Sequence, residues 1–240
     1  MSRALVVARR ELMAAFDSPA AWLVLALVPA LTAVLFFVLG GFFAAGAASL
    51  RDWFAAVPLL LVPVAPALTM RLWAEEFRSG TEELLFTYPL RTSELVLGKF
   101  LGALGLLAIA LFFTLGAPLT VAALGPLDWG PVIGGYLGSL LLGAACLAVG
   151  AFFSSCTRNQ IVAWLLGAVA LLVFNLLAVA ATSAAMPEWL GGILWRLDFG
   201  QRFAGIARGV VAVDDVLFYL LMTFLFLAWN GLRLEARRWP

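Results

Sequence analysis

Apolar residues in this chain gather into long uninterrupted runs. Six of them, at about 19–44, 53–73, 94–124, 129–153, 161–182 and 214–232, are each long enough to cross a bilayer as a helix, which takes about 20 residues. The pattern predicts an all-α polytopic membrane protein with six transmembrane helices, forming one domain over residues 1–240 with no linker and no convincing internal repeat. Local signals mark the runs. Ser18 caps the first and Pro19 takes its first helical position. Pro58, Pro63 and Pro66 predict a bent or broken second span, and Pro118 a kink in the third. Gly125-Pro126 makes the turn that follows, and residues 154–160 read as a tight polar connection between the fourth and fifth spans.

The intervals between the runs carry their own periodicities. In residues 1–17, Leu5, Ala8, Leu12, Met13 and Phe16 share a face among Arg3, Arg9, Arg10, Glu11 and Asp17. That spacing predicts a helix lying in the membrane interface ahead of the first span. Residues 183–213 mix Trp189, Trp195, Arg196, Gln201, Arg202 and Arg208 with apolar positions, which reads as short amphipathic helices or a re-entrant hairpin at the outer surface. The longest polar interval, 75–100, holds five of the fourteen acids and the only lysine, Lys99. Within it Phe77, Thr81, Leu84, Leu85 and Tyr88 recur at helical spacing. A short amphipathic helix is predicted, started by Ser79 with Glu82 as a capping box or by Thr81 as a rival cap, and ended by Pro89. Ser93 or Thr92 then caps the third span, with Glu94 in its first turn.

Composition supports the membrane reading. The chain has 240 residues, 64% hydrophobic and 12% charged, with a mean hydropathy of +1.05; soluble domains carry about 25% charged residues. A net charge of +1 offers no nucleic-acid footprint. With the N-terminus inside, 11 of the 15 cations face the cytoplasm, and Arg51, Arg196, Arg202 and Arg208 face outward. That asymmetry places both termini in the cytoplasm. The protein is expected in the cell (inner) membrane.

Candidate chemistry is sparse. The chain has no histidine, and its two cysteines, Cys146 and Cys156, define no disulfide framework. Gly98-Lys99 lacks the earlier glycine and the following Ser or Thr of a phosphate loop. Ser154-Ser155-Cys156 has no base beside it. No catalytic, cofactor or metal site is expected. No charged residue stands near a span centre, where ion-coupled transporters keep one, so an external energy source is implied. Asn175 is an amide near a span centre, read either as an interhelical hydrogen bond or as a group lining a substrate path. Gly98 and Gly102 in the third span, and Gly134 and Gly138 in the fourth, have the spacing of close helix contacts, within one subunit or between two.

The stretch Glu75-Glu76-x-Arg78-x-Gly80-Thr81-x-Glu83, followed by Tyr88-Pro89-Leu90 and Leu97-Gly98-Lys99, resembles the segment after the second span of ABC-2 type exporter permeases. The likeness is nearest to the short six-span branch of gliding-motility and nitrous-oxide-cluster permeases. A second patch, from Phe199 through Arg208 to Val216, also resembles that branch. The resemblance implies a cytoplasmic coupling helix that engages an ATPase through Glu75, Glu76, Arg78, Gly80, Thr81, Glu82, Glu83, Leu84, Leu85, Tyr88 and Pro89. It implies a permease subunit without its own ATPase site or cofactor. Its partners would be a cytoplasmic ABC ATP-binding subunit and a second permease, identical or related. Gln201, Arg202 and Arg208 become candidates for contact at the outer face with substrate or a periplasmic or extracellular accessory protein. The other function class open to the sequence is a non-transport mechanotransmitting or scaffold subunit of a motility or secretion complex. The transported substrate is not written in the residues.

Overall fold

The computed structural model describes residues 3–40, 42–45, 48–82, 90–182 and 187–238. Among them are helices and no strand, and six helical stretches have the length and hydropathy to cross a membrane: Ala21–Leu39, Val57–Ser79, Thr92–Leu124, Trp129–Cys156, Gln160–Ala181 and Val213–Arg237. The chain is an all-α polytopic membrane protein.

Helix α1 (Arg3–Phe16) precedes the first span and packs along the start of the third. Val7, Leu12 and Phe16 turn inward, while Leu5 and Met13 remain exposed. The first span is α2 (Pro19–Ala33), which opens into a π-helical turn over Val34–Leu39 and stops at Gly40, short of the expected residue 44. A short helix, α3 (Phe42–Ala45), follows. Trp53 belongs to a separate short helix, α4 (Arg51–Ala55), so the second span starts later than expected. It consists of α5 (Val57–Thr69) and α6 (Arg71–Ser79), broken at Met70, and extends six residues past the predicted end. Pro63 and Pro66 lie inside α5, which runs through both, and the break comes four residues after Pro66.

The capping role predicted for Ser79 is overturned. Ser79 closes α6, and its hydroxyl donates back to the carbonyls of Glu75 (2.8 Å) and Glu76 (3.3 Å). Gly80 follows in the left-handed region at φ 71°, and the Thr81 N–H reaches the Glu76 carbonyl at 3.1 Å. This is a glycine-terminated helix end, which needs a residue without a Cβ penalty.

The third span is α7 (Thr92–Phe113) and α8 (Gly116–Leu124). Its start is flanked by Arg91, not by Thr92 or Ser93, and the Arg91 N–H donates to the Glu94 carboxylate at 2.9 Å. The interruption falls at Thr114–Leu115, four residues before Pro118, because the proline ring clashes with the carbonyl one turn back. The fourth span, α9 (Trp129–Cys156), carries Ser154, Ser155 and Cys156 as its last turn, so the polar connection is shorter than predicted. Asp128 caps its start by accepting from Gly130 N–H at 3.0 Å. The fifth span is α10 (Gln160–Ala181), capped by Asn159. Helices α11 (Glu188–Leu197) and α12 (Phe199–Ala207) fill the interval before the sixth span and realise the short-helix alternative. The sixth span, α13 (Val213–Arg238), absorbs most of the basic tail that was expected beyond residue 232.

The fourth span is the centre of the bundle. Leu142 and Ala145 through Val149 are fully buried, and the span meets spans 2, 3, 5 and 6. Spans 5 and 6 instead expose many apolar side chains, Ile161, Leu165, Val169, Leu221 and Phe224 among them. Surfaces of that kind suit lipid or another membrane helix. Helix α1 and the C-terminal turns of α13 lie at one end of the bundle, together with α6. Helices α3, α4, α11 and α12 lie at the far end.

Candidate functional site

The terminus-bearing end is organised by the break in the second span. A break in a helix frees backbone groups that must find other partners. At Met70 they are taken up by Ser154 of the fourth span. Its fully buried hydroxyl accepts from the N–H groups of Trp73 (3.1 Å) and Ala74 (3.2 Å) and donates to the Met70 carbonyl (3.0 Å). Glycines bring the helices close enough for this. A Cβ on Gly150 would lie 3.3 Å from Pro66 Cα and would collide with the Thr69 hydroxyl, and one on Gly167 would press on the Pro66 ring. Trp164 adds a donor from the fifth span to the Pro63 carbonyl at 3.1 Å. Thus α6 continues the second span past an interrupted turn at Met70, and Ser154 pins that turn to span 4.

Helix α6 carries the acids of the polar interval. Glu75 pairs with Arg71 at 2.7 Å, and Arg71 also donates to the Ser18 hydroxyl at the head of the first span. Glu76 turns the other way. One of its oxygens accepts from Lys99 Nζ at 3.1 Å and the other from the Thr81 hydroxyl. Lys99 is 3% exposed, and its second carboxylate is Glu11 of α1, at 3.0 Å. Its ammonium lies 5.2 Å from the Trp73 ring centre. Burying a cation this deep is costly unless carboxylates pair with it, and here the two come from different helices. Lys99 therefore ties α1, α6 and the start of the third span into one charged joint. Beside it, a cavity of about 260 Å³ opens between α1 and the first three spans.

The expected coupling residues divide. Glu75, Glu76 and Thr81 lie in this joint, Arg78 and Gly80 are exposed beside it, and Glu82 has a buried carboxylate oxygen without a hydrogen-bond partner. Glu83, Leu84, Leu85, Tyr88 and Pro89 lie outside the described residues. Phe77, expected on the same amphipathic face as Leu84 and Tyr88, is instead buried, stacked with Trp73 and covered by the Arg237 guanidinium at 4.2 Å.

Gly98, Gly102, Gly134 and Gly138 face their own chain. A Cβ on Gly98 would sit 2.5 Å from Val7 Cβ, and one on Gly102 2.8 Å from Glu11 Cβ, so both receive α1. Gly138 receives the Ile206 side chain, and Gly134 faces the Ile206 carbonyl. These glycines leave no free small-residue surface for a second copy.

At the far end, sequence reasoning missed Asp198. It is 1% exposed, caps α12 by accepting from Gln201 N–H (2.8 Å), and accepts from Ala178 N–H of the fifth span (2.8 Å). Arg202 pairs with Asp215 at 3.0 Å and covers the Phe218 ring, whereas the Gln201 and Arg208 side chains are exposed. Asn175 donates to the Leu171 carbonyl of its own helix at 2.8 Å, and its buried carbonyl oxygen has no partner. Asn230 of the sixth span, fully buried with neither amide atom hydrogen-bonded, escaped notice because it falls near a predicted span end.

Five apolar spans gathered with a central sixth, with a polar helical extension at one end and a cluster of short helices at the other, define a multi-pass membrane protein. The chain belongs to the ABC-2 transporter family: residues 5–193 match the family described as ABC-2 family transporter protein. The match runs from α1 into α11 and takes in the whole charged joint. No curated protein matches the chain. Members of this family work with an ABC ATP-binding subunit.

Proposed function

We propose that this chain is the membrane-spanning permease of an ATP-driven ABC-2 exporter, one domain over residues 1–240 with both termini in the cytoplasm. The observation that supports the reading is α6, the polar end of the second span. It ends at Ser79, within the segment from Glu75 that resembles a coupling helix, and is tied by Lys99 to α1 and by Ser154 to the central span. A push delivered to residues 75–89 by a nucleotide-driven partner would reach three other helices through these bonds.

In this reading Glu75, Glu76, Arg78, Gly80, Thr81 and Glu82 form the inner part of the coupling segment. Glu83, Leu84, Leu85, Tyr88 and Pro89 form the part that meets the ATPase. A second permease, identical or related, completes the path by packing on the exposed apolar faces of spans 5 and 6 or of span 1. The chain supplies no ATPase site. The test is reconstitution with its ATP-binding subunit in lipid vesicles. ATP hydrolysis is expected from the complex and none from the permease alone. Hydrolysis by the rigorously purified permease, or failure of any ATP-binding subunit to assemble with it, would overturn the proposal.

A further inference from the structure

The cavity of about 260 Å³ beside the charged joint is graded in polarity. Its wall runs from Ser18 to Val24 along the first span, from Arg71 back to Leu68 along the second, and from Lys99 to Leu106 along the third. On each span the polar residue stands at the terminus-bearing end and the apolar one lies deeper in the bundle. Small residues, Ala67, Gly102 and Ala103 among them, leave the space. The gradient follows the span axes, as a lipid in one leaflet does, with its head at the bundle end and its chain inward. Drug-sized ligands take about 300–1,000 Å³, so the space suits a small head and the upper part of a chain.

The charges specify the head. Three carboxylates, Glu11, Glu75 and Glu76, stand in the lining against two cations, Arg71 and Lys99, which leaves one negative charge over. Both cations are already paired. The second oxygens of Glu11 and Glu75 accept no hydrogen bond among the described residues, and neither is sealed from solvent. Open carboxylate oxygens above an apolar floor favour a cation that carries a hydrocarbon chain. No aromatic ring stands in the lining, so a quaternary ammonium finds no cage, whereas a primary ammonium brings three N–H donors to the carboxylates. We propose that this cavity binds an amphiphile with a primary-ammonium head, its nitrogen between Glu11 of α1 and Glu75 of α6 and its chain along Leu68 and Leu106. An aminophospholipid and a soluble long-chain amine share that chemistry. The remaining nitrogen of Arg71, which carries no bond among the described residues, suits the phosphate of the first. The bound head ties α1 to α6 beside Lys99.

The test uses the full chain in neutral detergent with radiolabelled dodecylammonium. The competitors are dodecyltrimethylammonium, 1-lauroyl lysophosphatidylethanolamine and the phosphatidylcholine analogue of that lipid. Saturable binding of dodecylammonium is expected, with the trimethyl compound weaker by about tenfold or more, the factor that one charge-assisted hydrogen bond supplies. Displacement by the ethanolamine lipid and not by the choline lipid assigns the site to a lipid head; displacement by neither lipid assigns it to a soluble amine. Glu75→Gln should lose most of the preference for the primary head. The Glu75 side chain is 37% exposed, and an exposed pair of this kind contributes little to folding, so the variant should insert and melt like wild type. Ala67→Leu, which narrows the apolar part, should weaken binding of both heads and leave the preference between them. Absence of saturable binding, equal binding of the primary and quaternary heads, or an unchanged preference in Glu75→Gln would overturn the site. The assay needs no ATPase, so its failure leaves the exporter reading untouched.

Discussion

At the scale of single residues, two side chains hold the terminus-bearing end together, and each does so by answering a specific deficit. Ser154 supplies an acceptor to two N–H groups and a donor to one carbonyl at a break in another helix. Ser154→Ala leaves those groups buried and unpaired, and should destabilise the protein by about 1–3 kcal/mol, the cost of an unmade buried hydrogen bond. Thermal melting of the purified chain would measure it. Ser154→Thr keeps the hydroxyl, yet the site is fully buried, so it tests packing rather than bonding. Lys99 is the counterpart for charge. Lys99→Met leaves Glu11 and Glu76 facing each other without a cation, and should cost about 2 kcal/mol. Much of that loss should return in the Lys99→Met/Glu76→Gln double variant. Equal melting of Lys99→Met and wild type would show that the pairs contribute nothing.

At the scale of elements, the six spans were legible because twenty apolar residues in a row have few other uses. Their ends were not. The second span outran its apolar stretch because α6 buries Leu72, Trp73, Ala74 and Phe77 on one face while carrying charge on the other. The sixth did so because its basic turns pack back on Phe77 through Arg237. The kink of the third span was legible from Pro118, though its position, one turn earlier, follows only from the geometry of the ring. The joint itself was hidden by distance along the chain. Lys99 and Glu11 are 88 residues apart, and Ser154 meets its partners across about 80, so no local pattern pairs them. The match of α1 to the third span rests on Gly98, where the two helices touch. Gly98→Val should drive α1 off the bundle. Ala8→Cys, buried in the native packing, should then become reactive to a water-soluble maleimide; unchanged protection would count against this packing.

At the scale of the whole molecule, the proposed topology puts the coupling end in the cytoplasm and the short-helix end across the membrane. The charge asymmetry of the loops sets that direction. Single cysteines at Arg91 and Asn159 should be shielded from an impermeant reagent added outside intact cells, and those at Ser49 and Glu188 should react; the reverse pattern would invert the topology. The central claim is that residues 75–89 receive the ATPase. Its most direct measurement is the amount of ABC ATP-binding subunit that copurifies with the wild-type chain and with Leu85→Ala and Tyr88→Ala in mild detergent. Loss of a buried anchor at an interface hot spot costs about 2 kcal/mol or more, so each variant should retain the subunit roughly tenfold or more less well, while inserting in the membrane like wild type. Undiminished copurification with both variants would contradict the account.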